Sequence, residues 1–242
     1  MLTEYATRGL KAGVVAGIAF GLFMALIGNP FVAYAETFEQ VGHHHHGGPV
    51  VSGAVTTIVS IVGGILWGIL FGIVVFGVVF YFLEPAIPGG VGTKSYVLGA
   101  AGFITVSGAP WLVLPPQPPG VEQALAVDTR LTWYLIMIAV GALACVLSGY
   151  VYTAVRSRYG KALGLLGAVG PLCLLPIAAV IAPANSASGP IPADVTYLFQ
   201  MVVIMGQVGL WFVLATAHMW LSRRQDDHEQ TAHTATQTVS AD

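Results

Sequence analysis

Residues 57–83 read TIVSIVGGILWGILFGIVVFGVVFYFL, 27 consecutive positions without Asp, Glu, Lys or Arg. A helix needs about 20 apolar residues to cross a hydrocarbon core of roughly 30 Å, so this stretch is long enough to span a bilayer. Five other runs meet or approach that length: Leu10 to Gly28, Val97 to Leu114, Leu131 to Thr153, Ala162 to Ala182 and Tyr197 to Leu221. The connectors between them are rich in Pro, Gly, Ser or charge, and none reads as a separate soluble domain. The sequence therefore predicts an all-α polytopic membrane protein, a single domain over residues 1–221 with about six transmembrane helices. The polar tail 222–242, rich in Thr, Ala and Gln, is expected to be disordered.

Composition agrees. Of 242 residues 56% are hydrophobic and only 8% charged, with a mean hydropathy of +0.79, against about 25% charged in an ordinary soluble domain. So little charge excludes a nucleic-acid binder, a cytosolic enzyme and a disordered regulator. Cys145 and Cys173 lie inside apolar runs and form neither a disulfide framework nor a CxxC site.

Orientation follows from the nine basic residues, because cytoplasmic loops hold an excess of Lys and Arg. With six spans, eight of them (Arg8, Lys11, Lys94, Arg156, Arg158, Lys161, Arg223 and Arg224) share one side, and Arg130 alone is on the other. Both termini are thus expected in the cytoplasm. A rival reading takes the first span as a signal peptide cleaved after Ala33-Tyr34-Ala35, leaving five spans and an external start at Glu36. The unmatched external charge of Arg130 calls for a partner among Asp128, Glu122, Glu36 and Glu39.

Small residues recur at helical spacing. Gly9, Gly13, Gly17 and Gly21 form one stripe and Gly64, Gly68 and Gly72 another. In lipid such stripes let helix backbones approach closely, so the first two spans are expected to pack on each other or on a partner subunit. Both stripes run toward a proline, at Asn29-Pro30 and at Glu84-Pro85, as in a faint internal duplication. Pro115, Pro116, Pro118 and Pro119 cannot continue a helix and predict a stiff, extended crossing.

The run His43-His44-His45-His46, preceded by Glu36 and Glu39 and edged by glycines, is the strongest chemical signal. Imidazole and carboxylate suit borderline divalent metals without choosing among them, and the topology puts the run outside; its bland alternative is a low-complexity loop. Apart from Lys11 at an edge, no span holds Asp, Glu, Lys or Arg, so a proton relay of the usual kind has no residue to run on. Met24, Asn29, Met137, Gln200, Met201, Met205, Gln207 and His218 are what is left for a polar path. Met201 and Met205 read more simply as lipid-facing or core residues, and His218 as an interfacial one. Glu84 reads as an exit-side ligand or, more simply, as a helix-terminal carboxylate in water. Gly89 to Ser95 glances at a phosphate loop but lacks the adjacent Gly-Lys and follows no strand. No enzymatic signature appears.

Residues 102–120, GFITVSGAPWLVLPPQPPG, followed by Arg130, Trp133 and Tyr134, resemble the CbtA family of probable cobalt transporter subunits. The opening helix with its glycines, Asn29-Pro30 and the acidic segment leading to histidines is similar too, and Leu175-Pro176, Ala182-Pro183, Pro190, Pro192 and Phe199 match in order. The resemblance implies a multi-pass cell-membrane subunit in cobalt uptake, associated with cobalamin synthesis and often accompanied by a short companion membrane subunit that bears histidines. Carried onto this chain, Glu36, Glu39 and His43 to His46 are the metal positions, and Pro115, Pro116, Pro118 and Pro119 the proline loop. Ile177 stands where some relatives have histidine.

The reading is of a non-enzymatic subunit of a cobalt or divalent-metal uptake system. Cobalt is its substrate, there is no permanently bound cofactor and no nucleic-acid partner, and a homo-oligomer is compatible. The alternative is a non-transporting scaffold or metal-delivery partner of another membrane protein.

Overall fold

A computed structural model describes residues 1–40 and 52–239. They form six helices. Helix α1 spans Leu2–Phe38 within a helical stretch that continues to Gln40, α2 spans Gly53–Ala86, α4 Val127–Tyr159, α5 Lys161–Ile181 and α6 Ala193–Val239. Helix α3 runs over Val91–Phe103, widens into a π turn over Ile104–Gly108 and ends over Ala109–Trp111. Five of the six, all but α3, are long and apolar enough to cross a membrane. The chain is a multi-pass membrane protein. Helix α3 coincides with the predicted third span, but starts at Val91 rather than Val97 and is less apolar than its neighbours because its first turns carry Thr93, Lys94, Ser95 and Tyr96.

Two helices run past the predicted ends of their spans. The first span does not stop at Gly28: helix continues through Asn29-Pro30 as far as Gln40. A proline ring normally clashes with the carbonyl four residues earlier, but Met24–Gly28 is a π turn, whose wider i to i+5 spacing makes room for it. The last helix is described to Val239, past the predicted end of its span at Leu221. Extending an existing helix adds a hydrogen bond per residue without a new nucleation step.

Helix α1 packs on α2 and on α6, α6 on α3, α3 on α4, and α5 on α4. The glycine stripes form the α1–α2 seam. A Cβ on Gly17 would stand 2.6 Å from the Cα of Ile65, and one on Gly68 2.5 Å from the Cα of Gly17, so only hydrogen fits between the two backbones. Between α1, α2, α3 and α6 the core gathers Ala16, Phe76, Phe80, Leu98, Leu210, Trp211 and Leu214.

The helices alternate in direction, which puts Arg8, Lys94, Arg156, Arg158, Lys161, Arg223 and Arg224 toward one end, the N-terminal end. Arg130 is at the other, the proline end. There Pro115–Pro118 carry no regular structure, Gly120 turns the chain at φ 79°, and a two-residue ladder, β1 (Glu122–Gln123) with β2 (Ala187–Ser188), ties this segment to the α5–α6 connection. Asn185 reinforces the tie, donating to Gln123 Oε1 at 2.9 Å and accepting from the Leu125 amide at 3.2 Å.

Substituting Gly68 by Leu forces backbone apart and should destabilise by at least the ~1–3 kcal/mol typical of overpacking, visible as a lower Tm in detergent or nanodiscs. Gly63→Ala, where a Cβ meets nothing within 4 Å, should leave Tm unchanged or raised.

Candidate functional site

A cleft of about 430 Å³ opens among five helices. Phe20 and Met24 come from α1, Ser60, Trp67 and Phe71 from α2, Ser107 and Trp111 from α3, Tyr134 from α4 and Gln207 from α6. Gln207 sits near the middle of the apolar part of α6, 14 residues or about 21 Å of helix beyond Ala193. Among the described residues no Asp, Glu, Lys, Arg or His lines the cleft.

Its hydroxyls share one property: each proton is committed to a protein acceptor. Ser107 Oγ donates to Gln207 Oε1 at 3.3 Å, Ser60 Oγ to Asn29 Oδ1 at 2.9 Å, and the Tyr134 hydroxyl to the Val106 carbonyl at 3.2 Å. The last bond has a local cause. Val106 lies four residues before Pro110, which has no N–H to offer that carbonyl, and Tyr134 supplies the missing donor. Each hydroxyl oxygen keeps its lone pairs. What remains for an occupant is acceptor oxygen, the Met24 thioether and aromatic faces, with the Gln207 amide and indole N–H groups as neutral donors.

On the N-terminal side the cleft has a floor. Phe71 packs on Trp211 with ring centroids 5.0 Å apart, and Trp211 is buried in the core with Phe76 and Leu214 beneath it. Below that core a polar cluster joins four helix ends. Glu84 of α2 accepts from the Tyr5 hydroxyl of α1 and from Lys94 Nζ of α3 at 3.2 Å. Arg8 lies over the Tyr5 ring, 4.5 Å from its centroid, and donates to Ser222 Oγ of α6 at 3.3 Å. His218 of α6 is fully buried, its Nδ1 3.0 Å from Ser95 Oγ and its ring 4.6 Å from Phe80. Because Ser95 gives its proton to the Val91 carbonyl at 3.0 Å, Nδ1 acts as the donor toward Ser95 and Nε2 keeps a bare lone pair, without a partner.

This geometry revises several sequence readings. His218 is a core residue, not an interfacial one. Glu84 is a half-buried junction between three helices, not a carboxylate facing water, and it holds Lys94, the lysine of the glycine-rich Gly89 to Ser95 stretch. Gly13, Gly17 and Gly21 are in the seam, Asn29 braces Ser60, and Pro30 lies within helix. Met137 is buried against Ala109 and Val113, whereas Met201 and Met205 are exposed, as the lipid-facing reading has it. Pro118 is buried and Pro119 exposed, with Pro115 and Pro116 between these extremes.

No acid among the described residues pairs with Arg130: its Nε is buried without a partner, and Asp128 and Glu122 point to solvent. The expected ion pair is absent because Asp128, two positions away on the same helix, falls on another face. Glu36 is exposed on the last turns of α1. The His43 to His46 run, and with it the proposed Glu/His loop, lies outside the described residues. Among those described, no three His, Cys, Asp or Glu side chains form a metal cluster, and Cys145 and Cys173 are free thiols.

Sequence reading found Met24 and Gln207 but missed Ser60, Ser107 and Tyr134, whose only signal was a hydroxyl inside an apolar run. Residues 2–223 match the family model described as "Probable cobalt transporter subunit (CbtA)". No curated protein and no solved structure matches significantly.

Removing one partner of a half-buried ion pair strands the other. Glu84→Ala should therefore lower stability by about 2–3 kcal/mol, since it also orphans Tyr5, and Lys94→Met combined with Glu84→Gln should cost less than the sum of the two single changes. Denaturation of the purified variants in nanodiscs measures both.

Proposed function

The chain belongs to the CbtA family of probable cobalt transporter subunits, and from that premise we propose that it is the membrane subunit of a cobalt uptake system whose Glu36, Glu39 and His43 to His46 capture the ion on the outer face. The match over residues 2–223 carries the reading, since it spans all six helices. Physical chemistry supports it in two ways. The basic residues gather at the N-terminal end, so the positive-inside tendency puts that end in the cytoplasm and the Glu/His segment, which follows α1, outside. Imidazole and carboxylate donors bind a borderline dication at neutral pH, and a run of them raises its concentration where it enters.

The segment loads the ion and the helices pass it on. No carboxylate lines the cleft, so passage within this subunit draws on neutral ligands, and a partner subunit supplies any energy coupling. The protein is not an enzyme in this reading.

Cells depleted of cobalt and carrying His43, His44, His45 and His46 as alanines should take up radiolabelled Co2+ with a half-saturation concentration raised about tenfold and a nearly unchanged maximal rate. Uptake equal to wild type at limiting cobalt would remove the capture role. Protein reconstituted in liposomes separates transport from scaffolding: a scaffold gives no Co2+ flux, alone or with its partner subunit.

A further inference from the structure

We propose that the five-helix cleft is a transmembrane waypoint for a divalent cation that keeps its water shell, held through that shell by acceptor oxygens rather than by direct anionic ligands. The proposal rests on the transport reading above and gives it a place inside the membrane.

Size comes first. Water occupies about 30 Å³ per molecule in the liquid, so a cleft of about 430 Å³ has room for a cation with a first shell of six waters. Charge comes second. A bare dication among neutral side chains would lose hydration worth far more than any neutral donor returns, so an uncharged cleft admits the ion only with its waters. Those waters present hydrogens outward and need acceptors.

The cleft is built to offer them. Ser60, Ser107 and Tyr134 have each spent their proton, on Asn29, Gln207 and the Val106 carbonyl in turn, so what each hydroxyl has left to offer is lone pairs. The Gln207 carbonyl oxygen, which accepts one bond from Ser107, has a second lone pair free. The Trp67, Phe71 and Trp111 side chains complete the wall. An acyl chain is the other occupant a membrane cleft could take, and it would give the remaining hydroxyl and Gln207 lone pairs no donor. Position fits as well: the cleft is in the half of the bundle toward the proline end, and the Phe71–Trp211 floor separates it from the polar cluster at the N-terminal end.

The test uses the full chain with Cys145→Ala and Cys173→Ala, in a background that keeps the wild-type Tm. Ser107→Cys is added and challenged in proteoliposomes with a membrane-impermeant, cationic methanethiosulfonate reagent. We expect the introduced thiol to react, and millimolar Co2+ to slow the reaction at least fivefold. Independently, Gln207→Leu should lower the maximal uptake rate at least tenfold at an unchanged half-saturation concentration, while Gln207→Asn retains most of it. No labelling in folded protein means a dry or lipid-filled cleft and overturns the proposal. Labelling indifferent to Co2+ overturns it too, as does wild-type transport by Gln207→Leu. Should the wild-type protein move no cobalt at all, the transport reading fails alone, and protection of the introduced thiol by Co2+ still decides whether the site exists.

Discussion

The structure depends on the backbone contact between α1 and α2. Lipid tails are as apolar as leucine, so nothing like the hydrophobic effect presses helices together within a bilayer. What holds them is dispersion between atoms at close range, about 0.1–0.2 kcal/mol per atom pair, and glycine at every fourth position multiplies such pairs. The seam from Gly9 to Gly21 against Ile61 to Gly72 sets the position of everything beside it. Phe20 and Met24 on one helix, and Ser60, Trp67 and Phe71 on the other, flank that seam and wall the cleft. Helix α6 rests on the same α1 surface, where Phe20 and Phe23 pack over Gly206, and it brings Gln207 with it.

Two kinds of polarity share this bundle and are kept apart. At the N-terminal end full charges are packed together, and Glu84, Lys94, Arg8 and His218 lock four helix ends through direct bonds. In the cleft there are dipoles only. Between them lies a plug of Phe76, Phe80, Leu210, Trp211 and Leu214. A carboxylate in the cleft would bind a dication tightly and release it slowly; acceptor dipoles bind weakly and let go. The separation leaves rigidity to the charged end and weak, reversible contacts to the cleft.

Much of this was legible in the sequence for a plain reason: apolar run length is read directly, and lipid enforces it. The spans 57–83, 131–153 and 162–182 fall within or next to their helices, and the glycine stripes met as their spacing implied. Positions decided by tertiary company were not legible. Glu84 and Tyr5 are 79 residues apart and His218 and Ser95 are 123 apart; each sits at the edge of an apolar run, where a polar residue is ordinarily solvated. Pro30 and Pro110 illustrate the same limit. Local rules make them helix breakers, yet each follows a π turn that makes room for it.

Those π turns bear on the register of the helices. An i to i+5 loop holds one residue more than an α turn, and one residue is about 100° of rotation around the axis. In α1 the turn at Met24–Gly28 resets which side chains face inward, so the half bearing the glycine stripe and the half bearing Phe31 and Ala35 are phased independently. In α3 the turn at Ile104–Gly108 does the same between Ser95 and Pro110. The two helices act as geared shafts, each with a coupling beside the cleft: absorbing the extra residue into α geometry would swing one half by about a quarter turn while leaving the other half in place.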